Sequence, residues 1–403
     1  MKRIYEKLIS DHLENNRQMV FLSGPRQVGK TTLAKSVLPD ALRLNYDKTA
    51  DARIIAGGAD RVAGFADLSD PLKARKGVSF DELHKFPNWK RFLKGFFDEY
   101  ADNMRLKVVV TGSARMDIYK RGGDSMMGRY FPYRIHPLTI GELGCGDVRL
   151  DGLFQESRGA SVDDVRTLLK FGGYPEPFLK GSERFYNQWK RLRTEKLFSE
   201  DLRDLSRVQD LNGLRLLADL LAARAGGGIN YASLANDLSV SPDTAKAWTT
   251  VLGSVYYCWT VQPWFRNVAN SIRKQPKVYL WDWSLVRNEG ARNENFVGSH
   301  LLKAVNWWTD SGLGDFGLYY LRTKQQKEVD FLVAKDSEPF MLVECKTSSG
   351  EPLSPALSDY QKALSVPYAF QVAVDAPAGG VDPTAYKGRA IKLSAVDLMK
   401  ILV

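Results

Sequence analysis

Nine consecutive residues, Gly24–Thr32, reading GPRQVGKTT, constrain this chain more tightly than any other stretch. They follow the apolar run Met19–Ser23 and precede the helix-like Leu33–Leu38. The pattern G-x-x-x-x-G-K-[ST] between a strand and a helix builds a cradle for phosphate. Gly24 and Gly29 let the backbone curl until its N–H groups point inward, at φ angles that a side chain resists. Pro25, Arg26, Gln27 and Val28 fill the free positions, and Thr32 closes the loop. The helix that follows turns the positive end of its dipole toward the same anion. Lys30 is placed to reach the β- and γ-phosphates of a nucleotide, and the Thr31 hydroxyl to bind Mg²⁺.

The chain has 403 residues, room for two to three domains with cores of their own. No uninterrupted apolar stretch reaches the roughly 18 residues of a membrane span. The first residues, MKRIYEKLISDHLENN, mix charges throughout and carry no apolar signal core. A cytoplasmic protein without membrane contact is therefore expected. Cys145, Cys258 and Cys345 are few and far apart, which suits free thiols in a reducing compartment. The formal net charge of +10 favours a polyanionic partner, nucleic acid above all, with DNA ahead of RNA.

Gly77–Glu82, GVSFDE, has the pattern of a strand ending in two adjacent carboxylates at the edge of a parallel sheet where ligands bind. Asp81 is expected in the Mg²⁺ shell, and Glu82 as the general base that polarises the attacking water. Leu106–Val110 is a further buried strand that runs into Thr111-Gly112-Ser113. Ser113, with Thr111 second, is the candidate to sense the γ-phosphate or position that water.

Four motifs, GPRQVGKTT, FDELHKFPNW, VVVTGSAR and GRYFPYRIHPLTIGEL, follow one another across residues 1–145. In that order the chain resembles AAA+-type ATPases of a widespread prokaryotic family, with His84 where the family often has Gln. The resemblance implies an ATP-binding P-loop domain, and it makes Arg129 a candidate to stabilise charge in phosphoryl transfer. Whether Arg129 would act in its own chain or in a neighbouring copy of an oligomer stays open.

The fold expected overall is α/β, in three parts. An AAA+-like parallel sheet spans 1–150, a helical linker with a winged-helix-like region spans 151–285, and a nuclease-like α/β domain spans 286–403. FGGYPEPFL at Phe171–Leu179 predicts a rigid loop, and Ser182–Leu205 a long helix with a basic side. Ser241 and Pro242 are the cap and first position of a helix in a helix-turn-helix. Asp243, Thr244, Lys246 and Trp248 would open its recognition helix, and Arg266–Pro276 would be a basic wing. A protein partner is the other occupant such a module takes.

In the last third, Glu328–Val333 and Met341–Lys346 have the pattern of adjacent strands. Alternation puts Glu344 and Lys346 on one face. Asp330 and Glu344 could meet around one metal ion, with Glu294 from an upstream helix as a further ligand and Lys346 orienting the attacking water. This arrangement resembles the PD-(D/E)xK nuclease superfamily, with His300 where relatives often carry Glu. Gln361 is a minor candidate for substrate contact. Two functions follow: an ATPase that acts on nucleic acid through these modules, or a nucleotide-controlled switch whose nuclease-like domain is inactive.

Overall fold

The computed structural model describes residues 1–403 apart from 69–76, 102–105, 113–125, 145, 156–158, 203–209, 265–274 and 323–326. Ser113 and most of the expected basic wing lie outside the described residues. The chain divides into two units, Met1–His136 and Pro137–Val403.

The first unit is built on β1 (Met19–Ser23), β2 (Leu42–Asn45), β3 (Gly77–Asp81), β4 (Lys107–Gly112) and β5 (Tyr130–Arg134). Their order is β2-β3-β4-β1-β5, and every pair is parallel. All five residues of β1 are buried, as a strand covered on both faces requires. Phe80 on β3 packs edge-on against Phe92 and Phe96 of the helix Trp89–Phe96. The register aligns Ser23 with Gly112 and Asp81 with both Asn45 and Thr111. The parallel strands thus deliver the loop after β1, Asp81 and Thr111 to one edge of the sheet.

The second unit holds a mixed sheet of β6 (Cys258–Pro263), β7 (Lys277–Leu280), β8 (Phe316–Arg322), β9 (Glu328–Lys335), β10 (Glu338–Lys346), β11 (Tyr368–Ala373) and β12 (Ala390–Ser394). The order is β12-β11-β10-β9-β8-β6-β7. β6 pairs with β8, so strands expected in separate domains on either side of residue 285 share one sheet. The first boundary also moves, from the expected 150 to 136/137. The reason is visible in Pro137–Leu143, which is anchored inside the second unit. The buried Lys303 ammonium bonds Thr139 Oγ1 at 2.9 Å and pairs with Glu142, while the Leu138 amide donates to Gly173 O at 2.6 Å.

Two helices form on either side of the turn at Ser239–Ser241. Tyr231–Leu238 is capped by Asn230, and Pro242–Ser254 by Ser241, with Pro242 in the first turn; the antiparallel pair β6-β7 follows. Trp248 is a correction. It is buried in this region's hydrophobic core and faces Gly213, so it reads nothing outside. The basic helix runs from Glu183 to Lys196 and continues as a π-helical turn at Leu197–Asp201; residues 203–205 of the expected stretch lie outside the described residues. FGGYPEPFL is only half a loop. The chain breaks at Gly172 and Gly173, then Pro175–Lys180 forms a short helix with proline in its first turn, where a missing N–H costs nothing.

Candidate nucleotide-binding site

The loop Gly24–Thr32 curls between β1 and the helix Lys30–Val37. Gly24 has φ of 151°, and a Cβ there would lie 2.3 Å from the Ile135 carbonyl oxygen, so glycine is required twice over. Gly29, at φ 98°, caps the helix in the left-handed region. Val28 is fully buried beneath the loop, Gln27 is exposed at its tip, and Pro25 is buried beside the half-buried Arg26. The Lys30 ammonium donates to Gly24 O at 2.8 Å and Pro25 O at 2.7 Å, arched over the space that a phosphate would enter. Thr31 and Thr32 are exposed.

Asp81 is the hub on the other side. Its Oδ2 accepts from Thr31 Oγ1 at 3.0 Å and from Asn45 Nδ2 at 3.5 Å, and its Oδ1 accepts from the buried Thr111 hydroxyl. A hydroxyl and a carboxylate held this close are the hard oxygen donors that Mg²⁺ selects, so the residues present fit that ion. Thr111, the second choice from sequence, is thereby a support of Asp81. Glu82 follows at φ 54°, a rare conformation for a residue with a side chain. Its carboxylate lies 3.6 Å from Lys85 Nζ and 3.8 Å from His84 Nε2. Burial opposes the charge on Lys85, but the hydrogen bond to Asp47 and the field of Glu82 outweigh it and hold its pKa up.

Arg129 is a correction for its own chain. It precedes Tyr130, which pairs with Met19 at the start of β1, whereas the phosphate loop leaves the far end of that strand. There it forms a two-pronged pair with Asp98, at 2.7 and 2.9 Å, that pulls the Asp98 carboxyl below its ordinary range. The five residues of β1 separate it from the loop.

Around the acids of the expected second metal site the structure places a lysine. Lys277, which the sequence reading did not single out, points its ammonium into the carboxylates. It lies 3.0 Å from Glu294, 2.6 Å from Glu328 and 3.4 Å from Asp330. Burial works against that charge, but Glu294, Asp330 and Glu328 together raise the lysine's pKa. Burial and the field of Glu294 push Asp330 up to about 7. Asp330 Oδ2 accepts from the Cys345 amide at 2.9 Å, and Tyr279 donates to Glu294 at 2.6 Å. Glu344 pairs with Lys346 at 3.0 Å and lies close enough for its charge to act on Asp330. Among the described residues, no group of three or more His, Cys, Asp or Glu is arranged to hold a metal ion. An internal ammonium balances the acids instead. Gln361 is turned inward onto the Val366 carbonyl. His300 is buried between Ile140 N and Phe296 O, with burial pushing its pKa down to about 3.

Residues 16–144 match the AAA domain. The loop geometry at Gly24–Thr32 is consistent with that match. Residues 162–293 match a domain of unknown function (DUF8612), and residues 289–369 match another (DUF4143). The uncharacterized protein Rv2008c of Mycobacterium tuberculosis is 28% identical over 373 residues, 87% of this chain and 76% of its own. The uncharacterized protein MJ1544 of Methanocaldococcus jannaschii is 21% identical over 401 residues, 90% of this chain and 86% of its own. Among solved structures, the Walker-type ATPase paby2304 of Pyrococcus abyssi is similar at 15% identity and TM-score 0.40, over 70% of this chain and 93% of that one. The Orc1 protein of Aeropyrum pernix, solved in complex with DNA, is similar at 11% identity and TM-score 0.32, over 74% of this chain and 93% of that one. Among the described residues, no helix is long and apolar enough to cross a membrane.

Proposed function

We propose that the first unit binds ATP with Mg²⁺ and hydrolyses it. The observation that carries this reading is the 3.0 Å approach of Thr31 Oγ1 to Asp81 Oδ2 beside the loop over which Lys30 arches. On nucleotide entry, Lys30 exchanges the carbonyls of Gly24 and Pro25 for phosphate oxygens, and the loop amides close around the same group. Thr31 and Asp81 would hold Mg²⁺, which supplies charge neutralisation to the phosphates when bound. Glu82 takes hydrogen-bond hold of the attacking water and accepts its proton. Glu82→Gln is expected to bind ATP as the wild type does and to lose roughly 10²–10⁴-fold in turnover. An unimpaired rate in that variant contradicts the role given to Glu82.

The nucleotide state in turn controls what the second unit grips, a nucleic acid by the chain's charge of +10 and DNA in particular. The switch reading is favoured over cleavage by one observation, the Lys277 ammonium among Glu294, Glu328 and Asp330. Labelled duplex DNA is expected to bind with different affinity in ATP and ADP, and to survive incubation with Mn²⁺ uncut. Nicking that depends on Asp330 restores the nuclease reading. DNA affinity indifferent to nucleotide removes the switch.

A further inference from the structure

The phosphate loop has a buried guanidinium behind it. Arg3 lies just ahead of the helix Tyr5–Asn15 and is only 7% exposed. One end of its planar fork donates to Val28 O inside the loop, and the other to His136 O at 2.7 Å. Its own amide donates to Glu6 Oε1 at 3.2 Å, and its guanidinium carbon lies 5.6 Å from the Tyr5 ring centre. The nearest atom to a Cβ built on Gly29 is Arg3 Nη1, at 3.4 Å.

This placement has a chemical consequence. Turning the loop amides inward turns the Val28 carbonyl outward, into a region where Val28 itself is fully buried. A buried carbonyl needs a donor. The Val28 C=O and the Gly29 N–H belong to one peptide unit. A permanent positive charge on that oxygen draws electron density along the peptide and makes the N–H a stronger donor to an anion. The second prong, on His136 O, fixes the fork to the segment that follows β5. Lysine carries the charge but not the two-carbonyl geometry.

We propose that Arg3 is a positioning residue of the nucleotide site, holding and polarising the Val28–Gly29 peptide for a triphosphate. The assignment rests on the reading of the loop as an ATP site. The test uses the full chain and labelled ATP with Mg²⁺, comparing wild type, Arg3→Lys, Arg3→Met and Arg3→Gly, with the unfolding temperature of each nucleotide-free protein measured alongside. Arg3→Lys is expected to weaken ATP binding roughly tenfold and Arg3→Met further, the scale of a lost charge-assisted hydrogen bond. Millimolar guanidinium ion restores affinity to Arg3→Gly but not to Lys30→Ala. A purely structural arginine gives a loss that follows the unfolding temperature and is not rescued, and that result overturns the proposal. Wild-type affinity in Arg3→Met does so as well. Should the methionine variant not fold, Arg3→Lys decides by the same criteria. Failure of the wild type itself to bind ATP overturns the nucleotide reading, a result distinct from any difference among the Arg3 variants.

Discussion

Asp81 is held by two hydroxyls on different elements. Thr31 comes from the helix after the phosphate loop and Thr111 from the next strand of the sheet. Thr111→Val keeps the volume of the fully buried side chain and removes only the donor, which costs ~1–3 kcal/mol where an acceptor is left unsatisfied. The expected result is a several-fold rise in the Mg²⁺ concentration needed for half-maximal turnover, with ATP affinity without Mg²⁺ unchanged. His300 gives a prediction in pH. Its folded pKa of about 3 lies below the ordinary 6.5, so the unfolded chain binds the extra proton between those values. The stability it contributes is complete above pH 6.5 and drains away as pH falls toward 3, at up to about 1.4 kcal/mol per pH unit. His300→Gln should flatten that part of the denaturation-versus-pH curve, whatever it does to the baseline. Residues were legible in sequence where one local frame sets them. Gly24, Gly29, Lys30 and Thr31 sit in one short loop-to-helix stretch, and Asp81 at a strand tip. Lys277 was not legible, because Glu294, Glu328 and Asp330 reach it from a helix and a strand that only tertiary folding brings near. Arg3 escaped for the same reason.

Elements are legible in the sequence where hydrophobic runs are continuous. β1 and β4 announce themselves as apolar stretches because both faces are covered, and β9 and β10 flank a short polar turn. Local signals compete elsewhere. Two glycines and two prolines in FGGYPEPFL predict a loop, yet proline at the head of Pro175–Lys180 starts a helix as readily as it ends one. The glycines have a packing reason instead. A Cβ on Gly173 would sit 2.5 Å from Trp283 and 2.7 Å from Leu138 O. Gly173→Ala should therefore destabilise the second unit by about 1–3 kcal/mol or more, read as a lower denaturation midpoint. ATP binding by the first unit should be unchanged, and an effect on binding instead of stability would show that the packing account is wrong.

One unit carries the proposed nucleotide site and the other carries buried charge. The Lys277 cluster belongs to the interior of the second unit, and removing its cation leaves carboxylates without a counter-charge. Lys277→Met is expected to cost about 3–5 kcal/mol, the penalty of breaking a buried ion pair from one side. Glu294→Gln in the same chain should recover part of it, since one fewer carboxylate is then left without a counter-charge. A variant as stable as the wild type would mean the cluster is not the structural keystone its geometry implies. The central claim is narrower: Gly24–Thr32 and Asp81 together clasp a nucleoside triphosphate. Its most direct test is equilibrium titration of the full chain with fluorescent ATP, with and without Mg²⁺, beside Lys30→Ala. Saturable binding at one site per chain, tightened by Mg²⁺ and abolished by Lys30→Ala, is the predicted result; no saturable binding by the wild type, or equal binding by Lys30→Ala, contradicts it.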